Sequence, residues 1–174
     1  MADRTGKQRG ARNAERVSGG RTLEERLRAV EDRLAILDLE AEYAVAWDLC
    51  QAQRWADVFT ADGVFDMRPA GERPGRRIAG RAALRRFCAE TTACWTGIHL
   101  MHNPKIALAG DSARGTVFFE YRHVMRATKA QTIQGTVTGY YEIRYLRTRD
   151  GWRMQERIER AVAAASASFY EFER

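Results

Sequence analysis

Residues 22–50, TLEERLRAVEDRLAILDLEAEYAVAWDLC, decide the fold because they carry one uninterrupted helical pattern. Thr22-Leu23-Glu24-Glu25 is a capping-box pattern, in which the threonine oxygen accepts a hydrogen bond from the third backbone N–H and Glu25 reaches back. Apolar residues then recur every three or four positions, which predicts one stripe facing a core as far as about Cys50. The stripe consists of Leu23, Leu27, Val30, Leu34, Leu37, Ala41 and Ala44.

The following part of the chain predicts two shorter helices with a strand and a loop between them. A helix is expected over 53–60, with Trp55, Val58 and Phe59 turned inward and the turn residues Ala61, Asp62 and Gly63 after it. Residues 64–67 read as a brief strand, and the proline- and glycine-rich segment 68–77 as a mobile surface loop. Helical periodicity returns after Gly80 and predicts a third helix to about Thr92.

The rest of the sequence predicts a sheet. Residues 97–109, 113–126, 132–147 and 152–163 are long strands, with turns at Gly110-Asp111 and Asp150-Gly151. Short hairpins give antiparallel pairing, and strands of this length must twist around the helix that they cover. The fold class is therefore α+β, with a cone-shaped, curved antiparallel sheet wrapped around a long N-terminal helix and two shorter helices.

The charge distribution divides the chain into a basic leader and one ordinary domain. The chain has 174 residues and a net charge of +6, of which residues 1–21 contribute +4. This segment has almost nothing to bury and reads as a disordered leader, whereas 22–174 form a single domain of mixed charge. Without a basic groove or a known nucleic-acid motif, we expect no nucleic-acid partner.

Several other classes of protein are excluded by missing patterns. Three cysteines without CxxC spacing give neither a disulfide framework nor a zinc site, and they fit the reducing cytoplasm. No apolar run has the length of a signal peptide or a membrane span, so no membrane association is expected. Phosphate-binding glycine loops are absent, so no nucleotide cofactor is expected, and the GxSxG elbow of a serine nucleophile is missing too. Since His-x-x-His on a strand places its two imidazoles on opposite faces, no metal site is expected either. The functions that remain to be considered are proton-transfer catalysis and ligand binding without catalysis.

Tyr43 and Asp48 are the first candidate functional residues, at the end of the long helix. Tyr43 and Trp47 lie on neighbouring turns of one face, but Tyr43 and Asp48 are separated by about 140° around the axis. An acidic side chain in the last helical turn also needs a compensating partner, because the helix dipole disfavours it there. Both residues could reach a cavity at the helix end. Equally, Tyr43 could be a core aromatic and Asp48 a surface charge.

The three histidines are the other candidates. His99 and His102 lie three positions apart on one strand and therefore on opposite faces, so only one of them can face a pocket. His123 shares a strand face with Phe119 and Tyr121. An imidazole whose pKa is near neutrality can take up and return a proton in one turnover, although a lone histidine is more often structural.

Seven short motifs follow one another along residues 23–159. They are Tyr43-x4-Asp48, Trp55-Ala56-Asp57-Val58-Phe59 with Ala61-Asp62-Gly63, Gly80-Arg81-Ala82-Ala83-Leu84, His99-x3-Asn103, Gly110-Asp111-Ser112-Ala113, Gly139-Tyr140-Tyr141 and Asp150-Gly151-Trp152-Arg153. In the order and spacing of these motifs, the chain resembles the SnoaL-like families of the nuclear transport factor 2-like superfamily. These families include scytalone dehydratase, bile acid dehydratases, polyketide cyclases and ketosteroid isomerases.

The resemblance to the dehydratase branch implies a cofactor-independent lyase. Tyr43 would polarise a substrate carbonyl, His99 would act as acid and base, and Asp48 would orient His99. His123 and Glu120 compete for the place of a second pocket residue. Dehydration, isomerisation, cyclisation and a non-catalytic role as a ligand-binding or subunit protein all remain open.

The same reading implies a small hydrophobic substrate of polyketide, steroid or terpenoid size. The residues expected to line its pocket are Trp47, Trp55, Phe65, Met101, Phe119 and Tyr121. A homo-oligomer, either dimer or trimer, is expected to form through the outer face of the sheet, with Val137, Ile143 and Tyr145 as candidate contacts.

Overall fold

The computed structural model describes residues 21–126 and 131–170, so the leader predicted over 1–21 lies almost wholly outside the described residues. Three helices and six strands follow one another along the chain. They are α1 (Leu23–Asp48), α2 (Ala52–Asp57), β1 (Phe59–Met67), β2 (Arg76–Ala79), α3 (Arg81–Thr92), β3 (Trp95–Ala109), β4 (Ser112–Arg126), β5 (Gln131–Thr148) and β6 (Gly151–Tyr170).

The predicted start of the long helix is confirmed. Thr22 caps α1 through its side-chain oxygen, which accepts from the backbone N–H of Glu25 at 3.1 Å. The Glu25 carboxylate in turn accepts from the backbone N–H of Thr22 at 2.8 Å. Two of the unpaired donors at the helix start are thereby satisfied, which sets the first residue of α1.

The prediction that the apolar stripe of α1 faces the core is wrong for the first half of the helix, where Leu23, Leu27, Val30 and Leu34 are exposed. Of the other predicted residues, Leu37 packs partly against the core and Ala44 is buried. The buried side mainly carries Ile36, Leu39, Glu40, Tyr43, Ala46 and Trp47. The two sides lie about 180° apart around the helix. Hydrophobicity alone favoured the wrong side because the buried side includes a carboxylate and a phenol, which count as polar.

The segments between α1 and α3 also differ from the prediction. The second helix is shorter than expected and ends at Asp57, and β1 begins at once with Phe59, so Ala61, Asp62 and Gly63 lie within an irregular part of that strand. The end of the predicted loop forms the short strand β2, which pairs with β1 between Arg76 and Ala79.

The six strands form one mixed sheet in the order β2-β1-β6-β5-β4-β3. The pairings β3–β4, β4–β5 and β5–β6 are antiparallel as predicted. The unpredicted pairing β1–β2 is also antiparallel, whereas β1 and β6 run parallel. This parallel pair was missed because about half of the chain lies between the two strands. It places β1 beside β6, so that β2 and β3 are the two edges of the sheet.

The inner face of the sheet packs on the helices and forms the core. The buried cluster includes Trp55, Phe59, Leu84, Val117, Tyr141 and Met154. Ile143 and Tyr145, expected as outer-face contacts between subunits, are buried in this cluster, and Val137 packs against it. Alternation along β5 places all three on the inner face, so the predicted subunit contact is wrong. None of the described helices is long and apolar enough to span a membrane.

Candidate active site

A cavity of about 640 Å³ lies between α1, α3 and the inner face of the sheet. Its wall is mostly apolar and aromatic, with a few ionisable groups among the rings. Tyr43 and Trp47 reach it from α1, Phe65 from β1, His99 from β3, and Phe119, Tyr121 and His123 from β4. Most of the residues predicted to form a pocket therefore lie around one space.

Asp48 fixes the position of His99 through two hydrogen bonds. One carboxylate oxygen lies 2.7 Å from the ring Nδ1 of His99, and the other accepts from the His99 backbone N–H at 2.8 Å. The His99 side chain is only 6% exposed. Since Nδ1 is turned to the carboxylate, the ring nitrogen Nε2 is the one left without a partner among the described residues.

Tyr43 lies beside His99 in the wall of the same cavity but comes from a different element, and the two rings meet edge to face with their centroids 6.0 Å apart. Burial raises the pKa of Tyr43 above the usual value, while the neighbouring Arg157 and an interaction with Tyr141 act in the opposite direction. The phenol therefore keeps its proton at physiological pH. It is a hydrogen-bond donor in a largely apolar cavity wall.

Arg157 is buried beneath the site, and the sequence analysis missed it. Its guanidinium lies between the rings of Tyr43 and Tyr141, at 3.8 and 3.7 Å from their centroids. Its Nη1 donates to both carboxylate oxygens of Glu40 at 2.9 and 2.8 Å, and Tyr145 donates to the same carboxylate at 2.7 Å. A charge buried in this way needs such partners, and the pair in turn holds the Tyr43 ring in place.

The sequence left open whether His123 or Glu120 is the second ionisable residue of β4 or β3 to face the pocket beside His99. In the structure, His123 faces the cavity and Glu120 does not. His123 lines the cavity, with its ring centroid 4.6 Å from that of Trp95 and 5.3 Å from that of Tyr121. Because side chains alternate along a strand, Glu120 points to the opposite face of β4 from Phe119 and Tyr121. There it forms an ion pair with Arg122. Burial lowers the pKa of His123, which favours the neutral ring.

A glycine opposite His123 provides the space that its ring occupies. Gly135 pairs with His123 across β4 and β5, and a Cβ atom there would come within 2.5 Å of His123 Nε2. On the other side, Gly97 of β3 leaves room for the Tyr121 ring, which stacks on His99 with a centroid distance of 4.3 Å. These two glycines allow the aromatic row of β4 to lie flat along the cavity wall.

Two of the predicted lining residues do not reach the cavity. Trp55 is fully buried in the core, where its ring packs against Tyr43, Trp47 and Phe59. Met101 shares a strand face with His99 but lies further along β3, packed against the core cluster. His102 is exposed on the opposite face, as its spacing from His99 predicted.

The mouth of the cavity carries charges that the sequence analysis also missed. Glu159 of β6 lines the cavity and accepts from Arg73 at 2.7 Å, and the guanidinium of Arg76 lies 4.8 Å from the centre of the Phe87 ring. Glu159 and Arg157 face inward because the pairing of β5 with β6 shifts between Met154 and Glu156. Such a bulge reverses the alternation of the strand, which sequence periodicity does not reveal.

The arrangement can therefore donate a hydrogen bond and move a proton. It contains a protonated phenol, an imidazole held by a carboxylate, and a largely apolar wall. Among residues 21–126 and 131–170, no group of three or more His, Cys, Asp or Glu could hold a metal ion.

Comparison with known proteins agrees with this architecture. Residues 28–158 match the model of the SnoaL-like domain. No curated protein matches the chain significantly.

Three solved structures are similar over most of the chain. A Novosphingobium aromaticivorans protein assigned as an aromatic ring hydroxylase is 28% identical, with a TM-score of 0.69 over 79% of this chain and 94% of its own. A protein of the same organism assigned as a scytalone dehydratase is 17% identical, with a TM-score of 0.67 over 81% and 90%. The hexachlorocyclohexane dehydrochlorinase LinA-type3 of Novosphingobium barchaimii is also 17% identical, with a TM-score of 0.67 over 82% and 94%.

Proposed function

The chain belongs to the family of SnoaL-like domains, and we propose that it is a cofactor-independent lyase that removes water from a hydrophobic hydroxy-carbonyl compound. The observation that carries this proposal is that Tyr43 and His99 line one apolar cavity while Asp48 holds the His99 ring by Nδ1. Elimination of water next to a carbonyl requires a hydrogen-bond donor to the carbonyl oxygen and a base for the proton on the neighbouring carbon, and both must reach the same substrate.

His99 is the proposed acid and base. With Nδ1–H donated to Asp48, the lone pair of Nε2 is available to accept a proton from the carbon next to the substrate carbonyl. The imidazolium that forms is stabilised by the Asp48 carboxylate. It can then give the same proton to the departing hydroxyl group.

Tyr43 is the proposed stabiliser of the enolate. Its pKa is raised by burial, so the phenol donates rather than ionises, and the negative charge that develops on the carbonyl oxygen strengthens that hydrogen bond. Arg157 positions Tyr43 from below and places a positive charge behind the ring. One such donor in a dry site contributes about 3 kcal/mol to the transition state.

In the proposed reaction, the C–H bond next to the carbonyl breaks first and its electron pair forms the enolate. The C–O bond of the hydroxyl group on the neighbouring carbon then breaks as the enolate re-forms the carbonyl and a C=C bond. The leaving oxygen takes the proton held by His99. The products are one water molecule and an unsaturated ketone, with no net change of oxidation state.

The cavity supports a substrate of two to four fused rings or a comparable polyketide or terpenoid chain. Its volume of about 640 Å³ is within the range of ordinary ligand sites, and its wall is built largely of aromatic rings. Two structural neighbours support elimination chemistry by their names, a scytalone dehydratase and a dehydrochlorinase.

A cytoplasmic location belongs to the same proposal, since Cys50, Cys88 and Cys94 are all unpaired.

The bicyclic β-hydroxyketone 3-hydroxy-1-tetralone provides a direct test. Elimination of water from it gives an enone that tautomerises to fluorescent 1-naphthol, and the rate without protein gives the background. We expect catalysed appearance of 1-naphthol that is lost in a His99→Gln variant. Absence of catalysis with this ketone and with larger hydroxyketones, at concentrations at which binding is measured, would contradict the proposal.

A second reading, a non-catalytic subunit or binding protein, is favoured by one comparison. The similar Novosphingobium protein assigned as an aromatic ring hydroxylase carries a name from a class of multi-component enzymes. Under this reading, 1-naphthol would bind in the cavity without any turnover of the hydroxyketone.

An isomerase or cyclase would instead exchange the α-proton of the ketone with D₂O without releasing water, which mass spectrometry distinguishes.

A further inference from the structure

An apolar seam that packs against none of the described residues runs along the N-terminal half of α1, on the side away from the sheet. It consists of Leu23, Leu27, Val30 and Leu34, which are between 55% and 77% exposed. All residues from 21 to 28 are exposed, so the first turns of α1 extend beyond the body of the domain. This face takes no part in the cavity.

The spacing of the seam is that of a coiled coil. Its apolar residues alternate in steps of four and three, and the same steps continue to Leu37, which packs partly against the domain's own core, and to Ala41. A strict mean spacing of 3.5 residues is the pattern of a helix that packs against another helix, with Leu23, Val30 and Leu37 at d positions and Leu27 and Leu34 at a positions. The expected occupant of the seam is therefore a helix.

The charged residues beside the seam indicate which helix binds to it. Arg26 and Arg33 occupy the g positions, and Glu31 and Asp38 occupy the e positions that follow them. All four side chains are exposed, and none forms an ion pair with any residue in the described ranges.

Of the two ways in which α1 can pair with a copy of itself, only the parallel one makes these charges complementary. In a parallel pair, each g residue faces the e residue of the next heptad on the partner, which joins Arg26 to Glu31 and Arg33 to Asp38 in both directions. In an antiparallel pair, g would face g and e would face e, so that arginine would meet arginine and carboxylate would meet carboxylate.

We propose that two copies of this chain associate through a short parallel coiled coil of α1, centred on Leu27 and Val30. The sheet and the cavity of each copy lie on the opposite side of α1, because Asp32 of this helix bonds to Trp152 and Arg147 of the sheet. The pairing leaves both cavities open and does not depend on the proposed reaction.

Charge reversal tests the pairing and its direction together. Sedimentation of the full chain from about 1 µM to about 500 µM covers the dissociation constants expected for so short a seam. We expect a dimer whose dissociation constant rises at least about tenfold in the Arg26→Glu/Arg33→Glu variant, where all four ion pairs become repulsive. Adding Glu31→Arg and Asp38→Arg to that variant restores the opposite charges, and the constant should return to within about threefold of the original.

A disulfide tests the parallel register independently. In a chain with Cys50→Ser and Cys94→Ser, Val30→Cys places two thiols side by side at one d layer, within the Cα distance of about 6 Å that a disulfide spans. Arg28→Cys, at an exposed position outside the seam, is the matched control. We expect rapid oxidation to a covalent dimer for Val30→Cys alone.

Three results would overturn the proposal. They are a monomer at all concentrations, association that is insensitive to the charge reversals, and equal cross-linking of the Val30→Cys and Arg28→Cys variants. The second would indicate assembly through another surface, such as the exposed side of the sheet.

Discussion

Asp48 holds His99 at two points, accepting from the backbone N–H at 2.8 Å and lying 2.7 Å from the ring Nδ1. The first bond fixes the strand against the end of α1, and the second fixes the orientation of the imidazole. An acidic residue in the last turn of a helix needs a compensating partner, and β3 supplies one. The site is thus assembled by the same contact that joins the helix to the sheet.

Asp48→Asn should separate these two effects. The amide oxygen can still accept from the backbone N–H of His99, but an amide stabilises the imidazolium far less than a carboxylate does. We expect kcat for elimination from 3-hydroxy-1-tetralone to fall at least about thirtyfold with little change in KM. Unchanged kcat in the folded variant would mean that Asp48 only joins the helix to the strand.

The buried Arg157–Glu40 pair should show strong energetic coupling. Arg157→Met leaves the Glu40 carboxylate buried with only the Tyr145 hydroxyl as partner, and we expect a loss of about 3–5 kcal/mol in the free energy of unfolding. Adding Glu40→Gln removes the unpaired charge and should recover part of that loss. Urea denaturation of the two single variants and the double variant measures the coupling, and simple additivity of the losses would contradict it.

The burial of His123 should make stability depend on pH in the acidic range. Burial lowers the pKa of His123 in the folded protein below the usual 6.5. The unfolded chain therefore binds more protons between the two pKa values, so this contribution to stability is lost as the pH falls below about 6.5. Below the pKa of His123 in the folded protein, this contribution no longer changes with pH.

His123→Gln is the matched variant for this effect. Its free energy of unfolding should fall less than that of the unmodified chain between pH 7.5 and pH 5, which denaturant titrations at several pH values can measure. Parallel pH curves for the two proteins would show that His123 titrates in the folded state as it does in the unfolded one.

Local patterns predicted much of the fold and part of the site. The capping box at Thr22 set the start of α1, and strict alternation placed His99 and His102 on opposite faces of β3. The same alternation put Phe119, Tyr121 and His123 together on β4. Both patterns depend on neighbouring residues alone, which is why they could be read directly.

Features that depend on distant parts of the chain could not be read in this way. The parallel contact of β1 with β6 has no local signature, and the bulge beside Met154 turned Arg157 and Glu159 inward against the apparent alternation. The rotation of α1 was misjudged because its exposed seam is more apolar than its buried side, on which Glu40 is accommodated by Arg157. Tertiary partners, rather than hydrophobicity, decided which side is buried.

The most direct measurement compares Tyr43→Phe and His99→Gln with the unmodified protein, using 3-hydroxy-1-tetralone for turnover and the fluorescence of 1-naphthol for affinity. If the two side chains act on one substrate across the cavity, kcat falls at least about a hundredfold in each variant while the dissociation constant of 1-naphthol stays within about tenfold. Turnover that persists unchanged in both folded variants would contradict a catalytic role for this pair.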